Sequence, residues 1–180
     1  MSLRPSVNGA QTTSETSYPT FEPHITLLSL PAESSVSTDA LRSAAQKCKN
    51  LSVSFKSVDI SDHFFRSVLV SIAPTQELWD MHSLVHGELK QEPRTPMYPH
   101  MSLCYITNED AERGERQRFY NMLDDGGRIK SAGAGVALDC APEGARKADW
   151  VSGFKVKEIW IAECNGPVDT WTILDKVQLR

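Results

Sequence analysis

Nowhere in the 180 residues does an apolar run approach the roughly 20 that a helix needs to cross a bilayer. The opening stretch is polar and lacks the hydrophobic core of a secretory signal. A soluble, cytoplasmic chain with no membrane insertion is expected. Basic charge is short as well: 19 Lys and Arg face 23 Asp and Glu, for a net charge of -4 and a pI near 5.7. Nucleic-acid affinity comes largely from cations that displace condensed counterions along many phosphates. No stable nucleic-acid complex is therefore expected, and any phosphate ligand should be small. Cysteine is sparse and scattered. Cys48, Cys104, Cys140 and Cys164 form no C-x-x-C pair, which argues against a zinc site or a secreted disulfide framework. Buried free thiols are expected, with one intramolecular disulfide left open.

What is present is enough apolar residue, 40% of the chain, for one compact domain or two closely packed halves. Residues 1–20, rich in Ser and Thr, are expected to be loosely ordered, with a possible short strand around Leu3. The run His24 to Leu30, closed by Pro31, predicts a buried strand. Thr38 or Asp39 then caps a helix to about Lys49, with Leu41, Ala44, Ala45 and Cys48 along one face. A hairpin follows, Leu51 to Ile60 and Phe64 to Ala73, turning at Ser61-Asp62. Thr75 to Lys90 reads as a second helix with the apolar stripe Leu78, Met81, Val85 and Leu89. Residues 91–99 hold three prolines and cannot continue it.

From His100 the pattern starts over. A strand to Ile106 leads to a helix from Thr107 to about Leu123, stopped at Asp125-Gly126-Gly127. Strands are predicted at Ile129 to Asp139, Phe154 to Glu163 and Trp171 to Leu179. Asn165-Gly166 supplies the last turn, and Cys140 to Trp150 an exposed loop. The fold class is α+β: two lobes, each an antiparallel sheet with helices on its outer face and a cleft between them. Residues 21–180 form this single domain, with approximate halves 21–95 and 96–180.

A short phrase repeats at matching places in the two halves. Pro23-His24-Ile25-Thr26-Leu27 and Pro99-His100-Met101-Ser102-Leu103 share the pattern P-H-x-[S/T]-L. Side chains alternate along a strand, so His24 and Thr26 share one face and His100 and Ser102 another. Each strand then presents one imidazole and one hydroxyl. Opening a cyclic phosphodiester needs a base for the attacking water, an acid for the leaving oxygen, and donors for the non-bridging oxygens. Imidazole, with an ordinary pKa near 6.5, serves as either base or acid at neutral pH. Thr26 and Ser102 would donate to the phosphate. Neither a metal nor a cofactor is called for.

With these residues the chain resembles the 2H phosphoesterases, and within them the plant and fungal cyclic nucleotide phosphodiesterases. The similarity covers roughly Phe21 to Leu179. It is carried most closely by Phe-Glu-Pro-His-Ile-Thr-Leu, Pro-His-Met-Ser-Leu-Cys-Tyr and Phe64-Phe65-Arg66-Ser67-Val68. It implies a bilobal fold, metal-free opening of 2′,3′-cyclic nucleotides to 2′-phosphates, and hydrolysis of ADP-ribose 1″,2″-cyclic phosphate, a by-product of tRNA splicing. It matches His24 and Thr26 to one motif, His100 and Ser102 to the other, and Tyr105 to a substrate-side tyrosine. The parity of the strand, however, aims Tyr105 off that face unless the strand ends first. Relatives usually begin with an aromatic-bearing strand. Here Met1 to Pro5 offers none, so that the aromatic on that side is either missing or replaced by Phe64, Phe65 or Tyr18.

Other signals carry less. His82 and His86 have metal-ligand spacing but no adjacent glutamate or third ligand, so a surface or packing role is expected. His63 falls in a turn and is expected to be solvated. Gly133-Ala134-Gly135 lacks the third glycine of a dinucleotide loop and reads as a bulged strand. Trp79, Trp150, Trp160 and Trp171 read as packing residues. Two alternatives stand beside the small-molecule reading. One is a related enzyme acting on RNA ends, with Arg66, Arg94, Arg113, Arg116 and Arg118 as a local basic patch. The other is a non-catalytic nucleotide-binding module. The expected partner is a small cyclic phosphate bound by a monomer.

Overall fold

The computed structural model describes residues 14, 16–93, 95, 98–142 and 144–180. The strand considered at Leu3 and the side chain of Arg94 lie outside them. The fold is α+β, with four α-helices and antiparallel sheets among the described residues. The chain divides into two compact units, each assembled from separate stretches.

The first unit comprises the described residues up to Ile25, Ser54–Ala73 and His100–Gly153. Its centre is β2 (Val68–Ile72), flanked by β1 (Leu51–Ile60), which enters this unit at Ser54, and by β3 (His100–Cys104). Both pairings are antiparallel. A strand with neighbours on both edges and cover on both faces needs apolar side chains without alternation. Accordingly Val68, Leu69 and Val70 are wholly buried. Helix α4 (Glu115–Asp125) packs on β2 with Phe119 and Leu123, 1% and 2% exposed. Each such side chain contributes about 1.5–3 kcal/mol on burial.

Three expected elements are shorter or divided. Pairing of the His24 segment with β3 is a single bridge, Ile25 to Met101. Pro23 has no N–H to extend it on one side, and from Thr26 the chain belongs to the second unit. The strand predicted from Phe64 begins only at Val68, because Phe64–Arg66 forms a 3₁₀ turn in which the Phe65 N–H donates to the imidazole of His63. The single helix from Thr107 is two, α3 (Asn108–Glu112) and α4, separated at Gly114 with φ +85°. That left-handed conformation breaks the helical path and favours glycine.

Residues 129–139 form a hairpin rather than one bulged strand: β4 (Ile129–Ala132) and β5 (Gly135–Asp139), joined by Gly133-Ala134. Gly133, at φ +59°, takes the first central position of a tight hairpin turn, as primed turns prefer. Gly135 has a different reason: a Cβ there would lie 2.0 Å from the Phe55 carbonyl oxygen. Trp150 belongs to β6 (Trp150–Val151), paired with β5, so the loop expected through Trp150 ends earlier. The aliphatic ammonium of Lys130 sits over the Trp150 ring.

The second unit comprises Thr26–Val53, Pro74–Pro99 and Phe154–Arg180. Helix α1 (Thr38–Ala45) is capped by Ser37, one residue earlier than expected, and stops short of Lys49. Helix α2 (Gln76–Leu89) is capped by Thr75, whose hydroxyl accepts from the Leu78 N–H, and ends at Lys90 in a left-handed conformation. The strand expected at Phe154 to Glu163 is divided into β7 (Gly153–Val156), which begins in the first unit, and β8 (Glu158–Glu163). β8 pairs with β9 (Thr172–Gln178) through a connection containing a 3₁₀ turn, not a two-residue turn at Asn165-Gly166. One apolar cluster joins Ala45 to Ile161 and Val177; another joins Cys48 to Met81 and Val85. All four cysteines are unbridged. Cys48 and Cys104 are buried thiols, as expected, whereas Cys164 is exposed.

Candidate active site

His24 and His100 both belong to the first unit. The residues that follow them, Ile25 and Met101, are bonded as an antiparallel bridge, so the two copies of the repeated phrase lie side by side there. The register of that bridge sets His24 opposite Ser102. Directly opposed Cβ atoms in such a pair are about 4.5–5.5 Å apart.

Each histidine is oriented by its own segment. His24 is exposed, and its Nδ1 lies 2.7 Å from the Glu22 carbonyl oxygen. A carbonyl only accepts, so Nδ1 carries a proton, and Nε2 is left to exchange one with solvent or substrate. The edge of the Phe21 ring, 6.3 Å away and tilted by 80°, limits the imidazole from the side. His100 begins β3 and is half-buried, paired in register with Ser71 of β2. Thr26, also half-buried, is the first residue of the second unit.

Ser102 is 5% exposed and donates its hydroxyl proton to the Phe65 carbonyl at 2.7 Å. A serine hydroxyl has one proton. It cannot hold Phe65 and donate to a phosphate oxygen at once, so binding through Ser102 would release the Phe65 carbonyl.

The aromatic residues converge. The strand ends at Cys104, which frees Tyr105 from strict alternation, and its ring is 3% exposed. It stacks on Phe21 with centroids 4.1 Å apart and planes within 8°. Phe64 and Phe65 meet it at 5.6 and 5.5 Å. Phe65 is 46% exposed and Phe21 and Phe64 are half-buried, so this cluster reaches solvent, most fully at Phe65. Such pairs contribute about 0.5–1.5 kcal/mol each beyond area burial. Sequence reasoning missed Phe21; its signal was an aromatic residue three positions before His24. Tyr18 instead packs on Phe119 and donates to Glu115 at 2.6 Å. Burial, then that carboxylate, push its phenol well above the usual range.

Three buried polar residues fix these segments. Ser67 accepts from the Ile106 N–H and donates to the Phe64 carbonyl, both at 2.9 Å. Arg116, 9% exposed, donates to the Ile106 carbonyl and to Asn108, and burial lowers its pKa. Asp110, 2% exposed, accepts from the Ser14 N–H and the Ser17 hydroxyl. Burial pulls its pKa upward, but these hydrogen bonds and one from Thr107 outweigh it and hold the carboxyl below its ordinary value.

The described arginines of the RNA-end alternative, Arg66, Arg113, Arg116 and Arg118, are engaged within the protein. Arg113 pairs with Glu109, Arg118 with Glu115, and Arg66 donates to Ser61. His63 is exposed, as expected, while His82 and His86 are buried packing residues. Among the described residues no group of three or more His, Cys, Asp or Glu side chains is placed to hold a metal ion. No helix among them is long and apolar enough to cross a membrane.

No curated protein matches the chain. The family model described as cyclic phosphodiesterase-like protein does, over residues 2–179. With both motif histidines inside a match of nearly the full chain, the protein belongs to the cyclic phosphodiesterase-like family.

Proposed function

We propose that the protein hydrolyses small cyclic phosphodiesters without a metal ion, taking 2′,3′-cyclic nucleotides to nucleoside 2′-phosphates and ADP-ribose 1″,2″-cyclic phosphate to ADP-ribose 1″-phosphate. The observation that supports this reading is the Ile25–Met101 bridge, which pairs the two segments that carry the repeated P-H-x-[S/T]-L phrase. His100 removes a proton from water as it attacks phosphorus. The bond from phosphorus to the 3′-oxygen breaks, and His24 protonates that oxygen from Nε2. Thr26 and Ser102 donate to the non-bridging oxygens, and Phe64, Phe65 and Tyr105 border the base or ribose. The division into base and acid follows the family resemblance. Such cyclic phosphates arise in tRNA splicing, and the working unit is a monomer.

Incubation with 2′,3′-cyclic AMP, ADP-ribose cyclic phosphate and a short cyclic-phosphate-ended RNA, followed by phosphorus NMR, tests the reading. The expected products are the 2′- and 1″-monophosphates of the two small substrates. Turnover of the RNA alone would favour the RNA-end alternative, and no turnover of any of them would favour a binding module.

A further inference from the structure

Helix α2 carries two histidines that the proposed chemistry does not use. His82 is 5% exposed and His86 4%. Four residues apart, they share one helix face, and their rings lie 4.2 Å from each other. His86 Nε2 lies 3.3 Å from the carbonyl oxygen of Leu27, the residue after Thr26. Its Nδ1 lies 3.1 Å from the carbonyl oxygen of Gln91, on the segment leading to His100. Both carbonyls lie outside any helix or strand.

Carbonyl oxygens only accept, so each contact needs its own N–H. A ring N–H serves the carbonyl that its nitrogen faces, as the tautomer sets. His82 makes neither contact. Its Nε2 is buried without a hydrogen-bond partner among the described residues, and burial, then the neighbouring His86, lower its pKa. The ring of His82 packs instead against Tyr98 at 4.3 Å, and the Tyr98 hydroxyl donates to the Leu78 carbonyl of α2 at 3.1 Å. Tyr98 stands two residues before His100. One helix face thus grips the chain at the end of the first motif and just before the second.

We infer that His86 is a positioning residue for the proposed hydrolysis, lodged between the Leu27 and Gln91 carbonyls with a ring nitrogen facing each, while His82 and Tyr98 brace the approach to His100. The inference rests on the reading of His24 and His100 as the acid/base pair. An aliphatic side chain would fill the same space, but it would leave two carbonyls undirected. Misplacing a reacting group by about 1 Å costs up to about 10² in rate.

The test compares His86→Leu, His86→Gln and Tyr98→Phe with the native protein, well below each melting temperature. It uses 2′,3′-cyclic AMP turnover and proton NMR of the His24 and His100 Cε1–H signals. In His86→Leu, kcat should fall about tenfold with KM within about threefold, and both histidine signals should shift. His86→Gln keeps an N–H donor and should recover part of the loss. Tyr98→Phe keeps the ring and should lower kcat by a smaller factor. A folded His86→Leu protein with native kcat and unmoved signals would overturn the inference, as would equal losses in the Leu and Gln variants. If His86→Leu does not fold, native kcat and unmoved signals in both other variants overturn it. Should the native protein turn over no cyclic phosphate, the hydrolysis reading fails, and unmoved signals in the variants would still count against positioning.

Discussion

At the scale of single residues, the two imidazoles and the two hydroxyls should separate by their effects. If the proposed roles hold, replacing His24 or His100 with Ala should lower the rate by about 10² to 10⁴. The double variant should lose much less than the product of the single losses if the pair acts as a unit. Steady-state kinetics on 2′,3′-cyclic AMP decides; full activity in either single variant refutes the assignment. Ser102 and Thr26 differ from each other in a way that their matching motifs concealed. Because the Ser102 hydroxyl already donates to Phe65, Ser102→Ala should lower thermal stability as well as turnover, by about 0.5–1.5 kcal/mol for the lost bond. Calorimetry checks the first effect. An unchanged melting temperature would mean that the bond to the Phe65 carbonyl contributes nothing to folding.

At the scale of elements, the segment that delivers His24 is tied down through a carboxylate. Asp110 of α3 receives donors from Ser14 and Ser17, and its pKa is lowered in the folded protein. A depressed carboxyl binds its proton more readily when unfolded. Its stabilisation is therefore complete above the unfolded value near 3.9 and is lost as pH falls through the folded value. Asp110→Asn should flatten the acid limb of a stability-versus-pH curve, and an unchanged limb would remove Asp110 from the account. The hairpin β4–β5 depends on Gly135, where a Cβ would overlap the Phe55 carbonyl. Gly135→Ala should destabilise by about 1–3 kcal/mol, as overpacking does, whereas Gly133→Ala meets no neighbour but carries the cost of φ +59°. Denaturant unfolding of both distinguishes contact from conformation.

At the scale of the whole molecule, the acidic balance of 23 to 19 sets the expected substrate size. A mononucleotide cyclic phosphate should be cleaved at least as well as the same group on a decanucleotide, with little dependence on salt. Strong preference for the longer RNA, falling steeply with added salt, would reverse that expectation. Turnover should also survive exhaustive EDTA treatment; loss on chelation with recovery on adding a divalent ion would end the metal-free mechanism.

By itself the sequence determined the chemistry-bearing phrase, its duplication, the α+β class and the helix α2, because these rest on local order: residue type, alternation and periodicity. The family was legible for the same reason, since PHITL and PHMSL are contiguous. Tertiary structure decided what depends on residues distant along the chain. The strand expected at His24 to Leu30 shrank to one bridge because the chain passes into the other unit at Thr26. Phe21 joined Tyr105, Phe64 and Phe65 because packing, which has no sequence period, gathers rings from separate segments. The buried His82–His86 pair looked like surface or filler by spacing alone. Only the fold brought carbonyls from both motif-bearing segments within hydrogen-bond reach of His86, since a hydrogen bond is settled by position and not by order along the chain.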